Sequence, residues 1–183
     1  MKKQATKVTA KPTTRFEGTM ELLPPPARGT KVWVSEAKHK QGPIAILTTA
    51  DGTIIACSFI RSRSVKAVAN GWQRDYKHLE FQASKAPKAP NYKKAAPIGT
   101  AFQRAVWLAT TFIPKGCVAA YADIANAIGR PKAMRAVGNA MGKNPLAPFV
   151  PCHRVIASNG TIGGYTGSMD TKRALLKEEG TVL

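Results

Sequence analysis

The sequence predicts an α/β (α+β) protein: a small N-terminal β-sheet domain with one helix, then a mostly helical C-terminal domain that contains a helix-turn-helix. Three observations predict it. Alternating β-branched runs crowd residues 31–59, a stretch rich in proline and lysine interrupts the chain at 84–97, and beyond it apolar residues recur at helical spacing. At 183 residues the chain can bury real cores. The expected division is a disordered basic tail at 1–28, an N-terminal α/β domain with its basic connector at 29–94, and a C-terminal domain at 95–183.

The tail is expected to be disordered because residues 1–16 hold Lys2, Lys3, Lys7, Lys11 and Arg15, no acid and few large apolar side chains. Burial there cannot offset the entropy of ordering. After Pro24-Pro25-Pro26, strands are expected at 31–34, 43–49 and 53–59, with Asp51-Gly52 as the hairpin turn between the last two. Residues 64–81 read as one helix plus irregular structure. In the C-terminal part, Thr100 and Gln103 form a capping box ahead of Phe102, Val106, Ala109 and Ile113, which share a helical face until Pro114. A short helix at 121–128 stops at Gly129, and Pro131 precedes another over 133–142; the pair reads as a helix-turn-helix.

On a helical wheel, 133–142 places Ala133, Met134, Ala136, Val137, Ala140 and Met141 on one side and Arg135, Gly138, Asn139 and Gly142 on the other. The exposed face is therefore expected to be small, with one arginine. Gly138 lowers helix stability by roughly 1 kcal/mol relative to alanine. Close approach of a nucleic-acid backbone would account for it, as would a tight helix contact.

The net charge of +18 recruits polyanions, nucleic acid before an anionic membrane surface. No apolar run approaches the roughly 18 residues that a membrane span needs. The three cysteines, Cys57, Cys117 and Cys152, form no C-x-x-C pair, so neither a disulfide framework nor a metal site is expected, and an intracellular compartment fits.

A free cysteine is usually packed and inert, and Cys57 and Cys117 are read that way. Cys152 differs, because Pro151-Cys-His-Arg-Val155 places His153 and Arg154 beside it, a setting that lowers a thiol pKa. Direct contact between the thiol and the imidazole would need a turn or a bridging water, since neighbours in an extended segment face opposite ways. Farther on, 172–179 reads as a helix that Gly180 ends, leaving Glu178 and Glu179 where the helix dipole disfavours carboxylates. A carboxylate there that orients a histidine would be a compensating gain; Glu178 reads as a solvated surface acid.

The motif Pro151-Cys-His-Arg-Val155, with the helix-turn-helix before it, resembles the O6-alkylguanine-DNA alkyltransferases, the methylated-DNA–protein-cysteine methyltransferases. The similarity runs from about Gly99 to Gly180. It includes Phe102-Gln103, Val106-Trp107, Ile113-Pro114, Tyr121, Pro131-Lys132-Ala133, Arg135-Ala136-Val137-Gly138, Asn144-Pro145 and Gly164-Tyr165. Residues 31–59 match the family's N-terminal domain only in outline, and 61–97 match weakly.

The resemblance implies that Cys152 is the alkyl acceptor, that His153 deprotonates it through a water, and that Glu179 holds the imidazole. It makes Tyr121 the donor to guanine N3 and Asn144 the residue that orders the active-site turn. Met141, Val155, Tyr165 and Thr166 line the pocket, with main-chain groups of Cys152 and Val155 accepting from the guanine amine. For DNA, it implies Arg135 as the finger that fills the vacated stack, and Lys132, Ala133, Gly138 and Tyr121 as further contacts. The chemistry suits these residue types: a thiolate attacks an sp³ carbon, and hydrogen bonds stabilise the departing guanine. The resulting thioether offers water no leaving group, so each molecule repairs one lesion.

The implied partner is double-stranded DNA, bound in the minor groove with the alkylguanine flipped out, by a monomer without cofactor, metal or membrane contact. Localisation would be cytoplasmic or nuclear according to host, and O4-alkylthymine is left open as a second substrate. Two departures stand out: Ala120 where a hydroxyl usually caps the tyrosine helix, and threonine at 166 where serine is common. The competing readings are a cysteine hydrolase, which lacks an oxyanion motif here, and a non-catalytic alkylated-DNA sensor or helix-turn-helix regulator, against which the presence of Cys152 argues.

Overall fold

A computed structural model describes residues 20–61, 63–165 and 168–181. The chain divides into two compact units, one of residues 20–99 with 145–149, the other of 100–144 with 150–181. Residues 1–19 of the tail expected over 1–28, and pocket residue Thr166, lie outside the described residues.

The first unit is a six-stranded mixed sheet. Its strands are β1 (Glu21–Leu22), β2 (Lys31–Ala37), β3 (Ile44–Thr49), β4 (Thr53–Phe59), β5 (Glu80–Phe81) and β6 (Asn91–Ala95), in the order β1-β6-β4-β3-β2-β5. The alternating runs pair as antiparallel neighbours β2–β3–β4, with Ile46 opposite Cys57 and Val34 opposite Leu47. At the β3–β4 turn Gly52 has φ +86°, and a Cβ there would stand 2.3 Å from the carbonyl oxygen of Ala89, so only glycine fits. Helix α1 (Val65–Asp75), capped by the Ser64 hydroxyl, lays Val68 and Trp72 on a core of Val32, Leu47, Ile55 and Ile60.

Two features of this unit correct the sequence reading. Glu21–Leu22 is not tail but a strand, parallel to β6, and the connector 84–97 contains β6 itself. The signal is weak because both strands are short and four of the five β6 residues are exposed. Residues 145–149, expected in the C-terminal domain, belong with this unit: the Cys57 amide donates to the carbonyl of Pro145 at 2.7 Å and its thiol to that of Ala147 at 3.0 Å.

The second unit holds α2 (Ala101–Thr111), β7 (Ala119–Ala120), α3 (Tyr121–Ala127), α4 (Met134–Gly142), β8 (Val155–Ile156) and α5 (Met169–Glu178). The capping box at α2 is as expected: Gln103 N–H donates to Thr100 Oγ1 at 3.2 Å, and Thr100 N–H to Gln103 Oε1 at 2.8 Å. Helix α4 packs against both α2 and α3, and buried Trp107 donates its Nε1–H to the Ala140 carbonyl at 2.9 Å. Between α3 and α4, Gly129 turns the chain at φ +69° and the Arg130 N–H closes on the Ala125 carbonyl at 2.8 Å. β7 and β8 pair in parallel, Ala119 opposite Val155 and Ala120 opposite Ile156. Helix α5, capped by Ser168, starts at Met169, earlier than expected, and stops as expected before Gly180, beyond which Thr181 N–H reaches the Leu176 carbonyl at 2.9 Å.

Candidate active site

The short β7–β8 pairing builds the site. Tyr121 follows β7 directly and the Cys152–Arg154 turn runs directly into β8, so the parallel pairing of these two strands holds the tyrosine and cysteine segments side by side, near enough for Cys152 to act on the Tyr121 phenol. Cys152 begins a single 3₁₀ turn and is buried. Asn144, at the end of α4, donates from Nδ2 to the Val150 carbonyl at 3.0 Å and to Cys152 Sγ at 3.1 Å, tying both ends of the turn to one amide. The Tyr165 side chain also favours the ionised sulfur.

Glu179, the C-terminal cap of α5, gathers both side chains that follow the cysteine. His153 Nε2 lies 3.1 Å from its Oε1, Arg154 Nε donates to Oε2 at 2.9 Å, and Arg154 Nη2 donates to Oε1 at 2.8 Å. The third guanidinium nitrogen, Nη1, donates to the Ile113 carbonyl at 2.6 Å. Burial opposes ionisation of Glu179, yet the hydrogen bonds and charges of His153 and Arg154 prevail and pull its pKa down to about 2. The group is therefore a carboxylate, and the histidine nitrogen facing it must carry the proton. A neutral imidazole then has its lone pair at Nδ1. That atom is buried without a hydrogen-bond partner.

One sequence expectation is reversed here. Adjacent His153 and Arg154 were expected to lower the thiol pKa, but burial dominates and pushes it up, only partly offset by the Asn144 hydrogen bond, the charge of Lys172 and Tyr165. Arg154 is spent on Glu179 and Ile113 instead.

Lys172 is a site residue that the sequence analysis does not single out, since there it is only the first residue of the expected helix over 172–179. It is fully buried, and its ammonium donates to the carbonyls of Val155 at 2.7 Å and Gly164 at 3.4 Å. Desolvation lowers its pKa to about 8, against the opposing pull of Cys152. Among the described residues it has no carboxylate partner.

Tyr121 stands between two glycines. A Cβ on Gly138 would lie 3.8 Å from its ring, and one on Gly163 would lie 3.4 Å from its hydroxyl oxygen. Burial and the neighbouring cysteine raise its pKa, which keeps the phenol protonated and able to donate. Although Ala120 cannot cap α3 with its side chain, its N–H donates to Asp123 Oδ2 at 2.8 Å, the surviving half of a capping box. Met141 turns inward, its sulfur 3.6 Å from Thr110 Oγ1, while Val155 is wholly buried.

Lys132 and Arg135 are exposed and Ala133 is half-buried, flanking the start of α4 away from the buried cluster. Met134 and Ala136 depart from the helical wheel: both are exposed, because the first turn of α4 is less covered than the Val137–Met141 stretch behind it. Glu178 is exposed, as expected.

Residues 101–181 match the family described as 6-O-methylguanine DNA methyltransferase, DNA binding domain. The chain is 38% identical over 146 residues to a methylated-DNA–protein-cysteine methyltransferase of Methanosarcina acetivorans, covering 76% of this chain and 93% of that protein. A protein of that name from Salmonella typhimurium is 53% identical over 85 residues, half of its length. Among solved structures, the O6-methylguanine methyltransferase of Mycobacterium tuberculosis aligns with a TM-score of 0.63 and 30% identity over 81% of this chain and 92% of its own. M. tuberculosis OGT in complex with DNA aligns at 0.60 and 31%, over 81% and 93%.

Proposed function

This chain belongs to the methylated-DNA–protein-cysteine methyltransferase family, DNA-repair proteins that move an alkyl group from DNA to a cysteine, and from that premise we propose that Cys152 is the acceptor for the alkyl group of O6-alkylguanine. The observation that carries the assignment is the convergence of Asn144, Tyr165 and Lys172 on this one buried sulfur, with the His153–Glu179 pair beginning at the very next residue.

A raised thiol pKa means that the proton must be removed during reaction. His153 Nδ1, unpartnered and unprotonated, takes it through a bridging water, and the resulting imidazolium is held against the Glu179 carboxylate. The thiolate attacks the O6-alkyl carbon: an S–C bond forms, the C–O bond breaks, and the electron pair passes into the guanine ring. Tyr121 donates a hydrogen bond to N3 as that charge develops. The proton lost by the thiol ends on guanine, leaving restored base and a thioether. The Cys152 carbonyl accepts from the Val155 N–H, and the Val155 carbonyl from Lys172; each keeps a second lone pair for the guanine amine.

Access to O6 requires the nucleotide to leave the stack. α3 and α4 form the DNA-binding helix-turn-helix, α4 lying in the minor groove with Arg135 filling the gap and Lys132 and Ala133 on the backbone. A monomer suffices, since Cys152, His153, Glu179, Tyr121 and Asn144 all come from residues 100–181. Cys152→Ala tests the assignment: it should bind duplex DNA containing O6-methylguanine and leave the lesion in place, and removal of the methyl group by that variant would assign the acceptor elsewhere.

A further inference from the structure

Met134 opens α4 as a 48% exposed residue, on a surface where its neighbours Lys132 and Arg135 are exposed cations. The first turn of α4 carries no acid, and its cap Ala133 makes no side-chain hydrogen bond. Met134 shares a face with Gly138 one turn later, the glycine that borders the Tyr121 ring. The exposed methionine is thus in line with the residue proposed to receive the flipped base, and inside the stretch that matches a DNA-binding domain. A lone exposed apolar side chain ordinarily calls for no explanation. This one lies between cations on a surface complementary to a polyanion, where cationic or small side chains would satisfy phosphate contact alone.

We propose that Met134 is an apolar wedge that enters the DNA minor groove beside Arg135 and packs against the base step next to the flipped nucleotide. The proposal rests on the DNA-repair reading above. Thioether side chains are flexible and polarizable enough to follow an irregular stacked surface, and methionine is among the residues that minor-groove proteins insert between base steps. An apolar contact of this kind releases no counterions. It therefore adds affinity that is independent of salt, unlike the phosphate contacts of Lys132.

The test uses the full chain and its Met134→Ala, Met134→Leu and Met134→Lys variants, with duplex DNA carrying one O6-methylguanine and a 2-aminopurine beside it. Binding is read across a salt series and methylation of Cys152 in single turnover. Met134→Ala should weaken binding by about threefold to tenfold, with an unchanged slope of log affinity against log salt and less unstacking of the 2-aminopurine. Its methylation rate at saturating DNA should be largely retained. Met134→Leu should restore affinity, and Met134→Lys should steepen the slope by about 0.9. Wild-type affinity and unstacking in Met134→Ala would overturn the wedge, as would a loss confined to the rate at saturation. Failure of the unaltered chain to accept a methyl group at Cys152 would instead overturn the repair reading itself.

Discussion

Lys172 donates a 2.7 Å hydrogen bond to the carbonyl of Val155, three residues beyond the thiol of Cys152, from a wholly buried position on α5. A buried ammonium satisfied only by carbonyls is costly, and the anion that forms nearby during reaction is the Cys152 thiolate. The lysine charge and the thiolate are thus mutually stabilising: burial pushes the thiol pKa up and the lysine pKa down, and against that larger effect the lysine charge pulls the thiol down while the thiolate pulls the lysine up.

Replacing Lys172 with methionine should raise the thiol pKa further. Below pH about 8, where the lysine is charged, the rate of Cys152 methylation follows the thiolate fraction and should fall about tenfold for each unit of increase. The pH–rate profile then moves to higher pH. A profile reduced in height at every pH but unshifted would mean that Lys172 only braces Val155 and Gly164.

Asn144→Ala removes the amide shared by Val150 and Cys152. The loss should be about 1–2 kcal/mol in stability and roughly tenfold in methylation rate, measured by urea unfolding and single-turnover kinetics. A wild-type rate would show that the turn holds its shape without the amide.

Glu179 fixes the sign of a pH dependence. Its pKa is depressed to about 2, so its contribution to stability is complete above the free-glutamate value of about 4.3 and is lost as pH falls toward about 2. Glu179→Gln should be less stable than the unaltered chain at pH 6, by about 3 kcal/mol because Arg154 is left unpaired and mostly buried. The difference should shrink steadily on acidification. Urea midpoints at several pH values check this, and a gap that stays constant down to pH 2 would contradict it.

Tyr121→Phe leaves the ring between Gly138 and Gly163 but takes away the donor. The methylation rate at saturating DNA should drop by roughly 10²-fold while the melting temperature changes little. An unaltered rate would place the donor to N3 elsewhere.

What the sequence made legible was local. Thr100 and Gln103 cap α2 through contacts three residues apart, Asp51-Gly52 turns β3 into β4, and Glu179 was conspicuous because a carboxylate at a helix C-terminus needs a reason. What stayed hidden depended on distant partners. β1 pairs Glu21 with Lys94, and no pattern in two residues announces that. Lys172 finds its acceptors 8 and 17 residues away, so its burial left no trace in the helical periodicity. The wheel put Met134 in the core because it treats a helix as covered along its whole length.

The central claim is that Cys152 becomes a thioether. Peptide mass spectrometry after incubating the protein with duplex DNA bearing one O6-methylguanine tests it most directly. The predicted result is one added methyl on the Cys152 peptide, stoichiometric with restored guanine and without turnover; an unmodified Cys152 in a protein that still binds the lesion would contradict it.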